Sequence, residues 1–166
     1  MKNKINIKLP LTDREKANLR KNKIKIANIL DFATDELEVL LQVTTKRAKE
    51  IVALAEFQTV QSIGIKFAED LVFLGYYSVS ELKNKDGAKL TDQYERKKGF
   101  WTDPCVEDQF RLVVHFANTN DTTKMWWNFT EERKKYRLEN GYPANRPEKA
   151  WHETLEYERK EKKDSR

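Results

Sequence analysis

The sequence predicts an all-α protein. Apolar residues recur at helical spacing in several segments, and no segment alternates between apolar and polar residues over the length of a strand. Capping residues and glycines mark where the helical segments begin and end. Apolar residues make up 39% of the 166-residue chain, with four Trp, six Tyr and eight Phe. This composition is sufficient for a hydrophobic core.

Helix boundaries in the N-terminal half follow the usual capping chemistry. A first helix follows Thr12, since Glu15 completes a capping box with it. A short helical turn over residues 29–32 comes next, followed by a helix from Asp35. The further N-caps that we predict are Thr34 for that helix and Thr44 or Thr45 for the one after it. Gly75 is expected to end the next helix in a left-handed conformation.

The C-terminal half repeats these signals. The predicted helix starts are a capping box of Ser78 and Glu81, Asp103 as N-cap with Pro104 at the first helical position, and Thr130 as N-cap. Gly99 and Gly141 are expected to end helices. A last helix is predicted to begin at Pro147 and to continue into the charged tail, whose end is expected to fray.

The positive charge of the chain is concentrated at its N-terminus. The net charge is +5, and residues 1–25 carry nine basic against two acidic side chains. Such an arm attaches proteins to nucleic acid through counterion release, and it equally serves as a solubilising segment. The sequence leaves both interpretations open.

The sequence has no segment typical of a membrane or secreted protein. No run approaches the roughly 18 apolar residues that a membrane span needs, and the lysine-rich start lacks the apolar stretch of a secretory signal. We therefore expect a cytoplasmic protein without a membrane partner. Because Cys105 is the single cysteine, it has no partner for an internal disulfide or a zinc-thiolate site. We predict no metal and no cofactor.

A stretch of the chain repeats itself after twenty residues. The matching pairs are Leu37 and Phe57, Leu40 and Val60, Val43 and Ile63, Thr44 and Gly64, and Ala48 and Ala68. This pattern is typical of tandem helix-hairpin-helix units, in which an apolar hairpin residue fills the space between two short helices. Two joined units bury a core that one unit alone cannot.

A hairpin of this kind leaves backbone N–H groups free at the start of its second helix, where the helix dipole favours a phosphate. The residues that we expect to contact nucleic acid are Ile63, Gly64, Ile65 and Lys66 in the second hairpin, and Thr44, Thr45, Lys46 and Arg47 in the first. The first hairpin has no glycine, and Ser62 replaces one in the second. Because a non-glycine residue at positive φ costs roughly 1 kcal/mol, we expect a different turn in both.

The chain resembles the pathogenicity-locus family of small bacterial helix-hairpin-helix proteins. Three segments carry the resemblance: "FQTVQSIGIKFAEDLVFLGYYSVSELK" at 57–83, "GFWTDPCVEDQFRLVVHFAN" at 99–118 and "WWNFTEERKKYRLENGYPANRPEKAW" at 126–151. The resemblance spans about residues 12–151. It implies a helical fold with tandem helix-hairpin-helix units and no particular reaction.

The predicted organisation has four parts. They are a flexible basic arm at 1–11, a tandem helix-hairpin-helix domain at 12–122, a C-terminal helical extension at 123–156 and a charged tail at 157–166. The extension contains Trp126 and Trp127 beside Arg133, Lys134, Lys135 and Arg137. We expect the tryptophans to staple it onto the core while the basic face points outward, although such residues also stack single-stranded bases.

Other polar residues are weaker candidates. Cys105, Asp108 and His115 fall on one predicted helix, but His115 lies two turns beyond Asp108, roughly 10 Å along the axis. Helix capping accounts for an acidic cluster of Asp103, Glu107 and Asp108. We therefore expect a non-enzymatic protein that binds DNA or other nucleic acid largely without regard to sequence. The alternative is a protein-protein interaction module on a degenerate helix-hairpin-helix scaffold.

Overall fold

The computed structural model describes residues 6–164, apart from the side chains of residues 156, 158 and 161. The described part is helical, which confirms the all-α prediction; its one β feature is an isolated bridge between Trp101 and Ala150. The helices are α1 (Asp13–Lys21), α2 (Thr34–Leu41), α3 (Thr45–Phe57), α4 (Ile65–Phe73), α5 (Gly87–Lys98), α6 (Pro104–Thr119), α7 (Thr130–Asn140) and α8 (Leu155–Asp164). Short 3-10 helices span Ile26–Asp31, Val79–Leu82, Trp126–Phe129 and Trp151–Glu153.

Most predicted helix ends are confirmed. Thr12 and Glu15 form the capping box of α1. Thr44 caps α3, and Asp103 caps α6 with Pro104 at its start. The glycines that end helices, Gly75, Gly99 and Gly141, all have positive φ.

Three predicted boundaries are wrong. Thr34 is the first residue of α2, which Ala33 precedes as N-cap. Thr130 likewise lies inside α7, and its hydroxyl donates to Asp108 Oδ2 at 2.8 Å instead of capping the helix. Pro147 begins no helix, since a 3-10 turn starts only at Trp151 and α8 at Leu155.

Helix α3 lies between two apolar clusters. The N-terminal cluster contains Ile51 and Ala55 of α3 with residues from the segment before α1, from α1 and α2, and from the turn between them: Leu11, Leu19, Ile29, Leu37 and Leu41. The larger C-terminal cluster contains Ala53, Leu54 and Phe57 of α3 with residues of α4, α5, α6 and the segment before α7. Because α3 buries residues on both sides, it connects the two halves of the fold.

The described part of the predicted N-terminal arm contacts the end of α3. Residues 6–11 form no helix or strand, and the Lys8 backbone exchanges two hydrogen bonds with the Gln58 side chain at 2.9 and 2.7 Å. The first five residues of the predicted flexible arm lie outside the described residues, as do the last two of the charged tail. No helix in the described range is both long and apolar enough to cross a bilayer.

Candidate nucleic-acid interface

The twenty-residue repeat recurs in the backbone. Gln42 and Ser62 both have positive φ, 53° and 65°, and the helices that follow them begin at Thr45 and Ile65. The expectation that missing glycines would produce a different turn is therefore wrong: non-glycine residues occupy the left-handed conformation at the same place in each copy. Asn84, at φ 63°, precedes α5 by the same three residues.

The second hairpin presents backbone to solvent. Ile63 is 6% exposed and belongs to the C-terminal cluster, so it anchors the turn as predicted. Gly64 is exposed, and a Cβ built on it would meet no atom within 4 Å. Ile65 is half-buried against the same cluster, whereas Lys66 is exposed.

Four successive amides at this hairpin lack a hydrogen-bond partner among the described residues. Within residues 6–164, the N–H groups of Gly64, Ile65, Lys66 and Phe67 form no hydrogen bond. Lys66 forms no ion pair in the same range. Free amides at a helix N-terminus coincide with the positive end of the helix dipole. The second hairpin therefore combines oriented donors with an exposed cation.

The C-terminal segment borders this hairpin without covering it. The Trp126 N–H donates to Ser62 Oγ at 3.0 Å, and the Trp126 side chain packs against the C-terminal cluster. Trp127 is 53% exposed, with its ring centroid 5.4 Å from that of Trp126. The predicted staple thus applies to Trp126 alone.

The first hairpin offers a weaker version of the same arrangement. Thr44, Thr45 and Lys46 are exposed, and Lys46 forms no ion pair among the described residues. However, Thr44 Oγ1 accepts the Arg47 N–H at 3.1 Å, which removes one amide from the set. The structure thus brings together three of the four residues predicted here.

Arg47 is placed differently from the prediction. Its Nε and Nη2 donate to the Glu15 carboxylate at 2.8 and 3.0 Å, and Nη2 also donates to the Pro10 carbonyl. Hydrogen bonding to Arg47 lowers the pKa of Glu15. Because its guanidinium already serves a nearly buried carboxylate, Arg47 fastens α1 to α3 and is not a free phosphate ligand.

The weaker candidates have structural roles. Burial is the main cause that raises the pKa of Cys105 to about 12, and the nearby Asp103 adds to it. The thiol therefore stays protonated at neutral pH. His115 Nε2 lies 3.1 Å from Asp121 Oδ2. Glu107 and Asp108 are buried and are bonded to Arg137 and Arg133. No group of three potential metal ligands is present in the described part of the chain.

The sequence did not predict the ion pairs between α7 and α6. The basic face of α7 was expected to point outward, yet Arg133 and Arg137 turn inward to Asp108 and Glu107 at 2.7 Å each. A recognisable signal existed in the composition of α6. Carboxylates at positions 107 and 108 continue the apolar face of that helix, where an acidic residue requires a cationic partner.

Comparison with known protein families gives a match. A family model described as Pathogenicity locus (Cdd1) matches residues 50–135. The matched range contains the second hairpin and α4 to α6 but not the first hairpin. No curated protein and no solved structure matches the chain.

Proposed function

The chain belongs to the pathogenicity locus family, and we propose that it binds DNA or another nucleic acid through the phosphate backbone, without catalysis and largely without regard to sequence. The observation that carries the proposal is the row of unbonded N–H groups at Gly64 to Phe67 beside the exposed Lys66. This arrangement suits a phosphate oxygen and reads no base. The proposed setting is the cytoplasm.

The two hairpins have unequal parts in this proposal. The second has amides without a partner at Gly64, Ile65 and Lys66 and an exposed lysine, and it lies within the region that the family model matches. The first supplies fewer amides, with Lys46 as its free cation among the described residues. We therefore assign the main phosphate contact to the second hairpin and a minor one to the first.

The test is anisotropy titration of a labelled duplex and its single strand at about 50 mM and about 200 mM salt, a range over which phosphate contacts lose affinity steeply. Lys66→Glu should weaken binding and reduce the salt slope by about one. Lys135→Glu is the matched control, because Lys135 is also exposed and without an ion pair in the described range. Equal effects of the two substitutions would indicate bulk charge instead of the hairpin.

A second pair of variants isolates the backbone amide. Ile65→Pro and Ile65→Ala both remove the isoleucine side chain, but only proline removes the N–H, and proline is well tolerated at the first position of a helix. The proposal requires weaker binding for Ile65→Pro than for Ile65→Ala. Thr45→Pro and Thr45→Ala make the same comparison at the first hairpin, where we expect a smaller difference.

One observation favours the alternative of a protein-interaction module. Trp127 is 53% exposed, and tryptophan is enriched in protein–protein interfaces. A photocrosslinking amino acid placed at position 127 distinguishes the two functions in cells. Crosslinks to nucleic acid support the first proposal, and crosslinks to one protein support the second.

A further inference from the structure

A pocket of about 350 Å³ extends from Lys66 along α4 to Phe73. The α4 residues that line it are Lys66, Glu69, Asp70 and Phe73, whose spacing of three and four places them on one face of the helix. Seven residues of helix correspond to roughly 10 Å. The pocket therefore begins beside the proposed phosphate contact and extends away from it.

The other two walls add aromatic rings and cations. The end of α5 and the loop after it contribute Tyr94, Lys98, Phe100 and Thr102, and the C-terminal segment contributes Trp151, Thr154, Tyr157 and Lys160. The Lys98 Nζ lies 4.3 Å from the centroid of the Phe73 ring. Five aromatic and three lysine side chains thus surround one cavity, a combination typical of sites that stack bases and hold phosphates of single strands.

Asp70 supplies a polar group inside this pocket. The Tyr94 hydroxyl donates to Asp70 Oδ1 at 2.9 Å. Burial raises the pKa of Asp70 to about 6, although Tyr94 and Lys98 oppose the shift. The other charged groups that act on it are Glu69 from α4 and Lys160 from α8. The carboxylate oxygens of Asp70 accept hydrogen bonds, which suits the exocyclic amine of a base.

We propose that this pocket receives an unpaired base from a nucleic acid whose phosphate is held at the start of α4. The proposal rests on the proposed function, because the phosphate contact positions the strand at the mouth of the pocket. A paired base inside a duplex has its faces covered by stacking, whereas a base in a single strand is free to enter. The protein should therefore prefer single strands and frayed ends to intact duplex.

Phe100 provides the sharpest test because it lines the pocket but belongs to neither apolar cluster. Phe100→Ala should weaken binding of a single-stranded oligonucleotide by about tenfold, as expected for one lost stacking contact, and leave duplex binding unchanged. Phe100→Tyr is the matched control, since it keeps the ring and should bind both ligands like the wild type. Thermal unfolding verifies that each variant is folded, and Tyr157→Ala replaces Phe100→Ala if that variant does not fold.

The outcomes separate this proposal from the function on which it rests. If Phe100→Ala leaves single-strand binding unchanged while Lys66→Glu weakens both ligands, the base pocket is refuted and the phosphate contact stands. If Phe100→Ala weakens single-strand binding while Lys66→Glu and Ile65→Pro have no effect, the pocket stands and the hairpin contact is refuted. Failure of the wild type to bind either ligand at low salt overturns both.

Discussion

The guanidinium of Arg146 forms two hydrogen bonds to the carboxylate of Glu95, at 2.8 and 3.1 Å. Glu95 is fully buried on α5 and also accepts the Thr102 N–H at 2.6 Å. Arg146 lies beyond α7, so the pair fastens the C-terminal segment to the main helical body. It also lies next to Trp101, whose ring centroid is 5.3 Å from its guanidinium carbon.

Glu95→Ala should destabilise the protein by about 3–5 kcal/mol, the range measured when one partner of a buried ion pair is removed. The substitution leaves the Arg146 charge and the Thr102 N–H without their acceptor. Urea unfolding at neutral pH measures the effect. Glu95→Gln is the matched control and should cost less, because the amide oxygen still accepts one of these bonds. A loss below about 1 kcal/mol for Glu95→Ala would show that water replaces the carboxylate.

Gly87 begins α5 in direct contact with α6. A Cβ at this position would lie 2.7 Å from Arg111 Cγ and 2.9 Å from Arg111 Cα. Because backbone is part of this contact, Gly87→Ala must separate the two helices, and we expect a loss of about 1–3 kcal/mol. Gly64→Ala is the control, since a Cβ there meets nothing within 4 Å. Equal midpoints of urea unfolding for the two variants would contradict this packing argument.

The sequence predicted the helices and the repeat because both depend on local chemistry. Capping boxes, N-terminal Pro104 and terminal glycines act within a few residues, so they can be recognised without tertiary information. The twenty-residue register of the two hairpins was likewise visible in the spacing of apolar residues. Positive φ at Gln42 and Ser62 was not predictable, because packing of Val43 and Ile63 into the two clusters overrides a local cost of roughly 1 kcal/mol.

The residues whose roles were mispredicted are those with partners that are distant in sequence. Arg47, Arg133 and Arg137 read as exposed cations, but each is bonded to a carboxylate that is distant in sequence. Thr130 was predicted to be an N-cap from its local sequence, but its hydroxyl donates a hydrogen bond to Asp108. Periodicity places such residues on a helix and does not indicate which partner they meet. Lys66 kept its predicted exposure because no acidic group of the described residues pairs with it.

Asp70→Asn should stabilise the protein above about pH 6. The folded-state pKa of Asp70 is about 6, above the ordinary value of 3.8, so between these values the folded state binds more protons than the unfolded state. The contribution of Asp70 to stability is therefore most favourable at low pH. It becomes less favourable as the pH rises from about 4 to about 6. A shift of about two pKa units sets an upper limit of about 3 kcal/mol on the effect.

Urea unfolding of wild type and Asp70→Asn across this pH range measures the difference. Asparagine keeps an oxygen that accepts the Tyr94 hydroxyl, so the substitution removes the charge with little change in shape. The two proteins should differ most at about pH 7 and converge at about pH 4. A difference that does not vary with pH would show that burial of the Asp70 charge is not its cause.

Arg47→Ala should reduce stability, whereas Lys46→Ala should reduce nucleic-acid affinity slightly and leave stability unchanged. The two residues are adjacent, but Arg47 bonds Glu15 while Lys46 is exposed and unpaired within the described chain. We expect Arg47→Ala to cost about 2 kcal/mol at neutral pH, because a nearly buried carboxylate loses its cation. Anisotropy with a duplex and urea unfolding measure the two effects on the same pair of variants.

The acid dependence of Arg47→Ala provides the check on this assignment. The pKa of Glu15 is lowered chiefly by its hydrogen bonds to Arg47. The contribution of Glu15 to stability is therefore complete above its unfolded-state pKa of about 4.5. It is lost as the pH falls through its lower folded-state pKa. Without Arg47, burial opposes ionisation of Glu15, so stability should decrease less between about pH 6 and about pH 3 than in the wild type. If Arg47→Ala instead keeps the wild-type acid dependence and loses duplex affinity, Arg47 is a phosphate ligand after all.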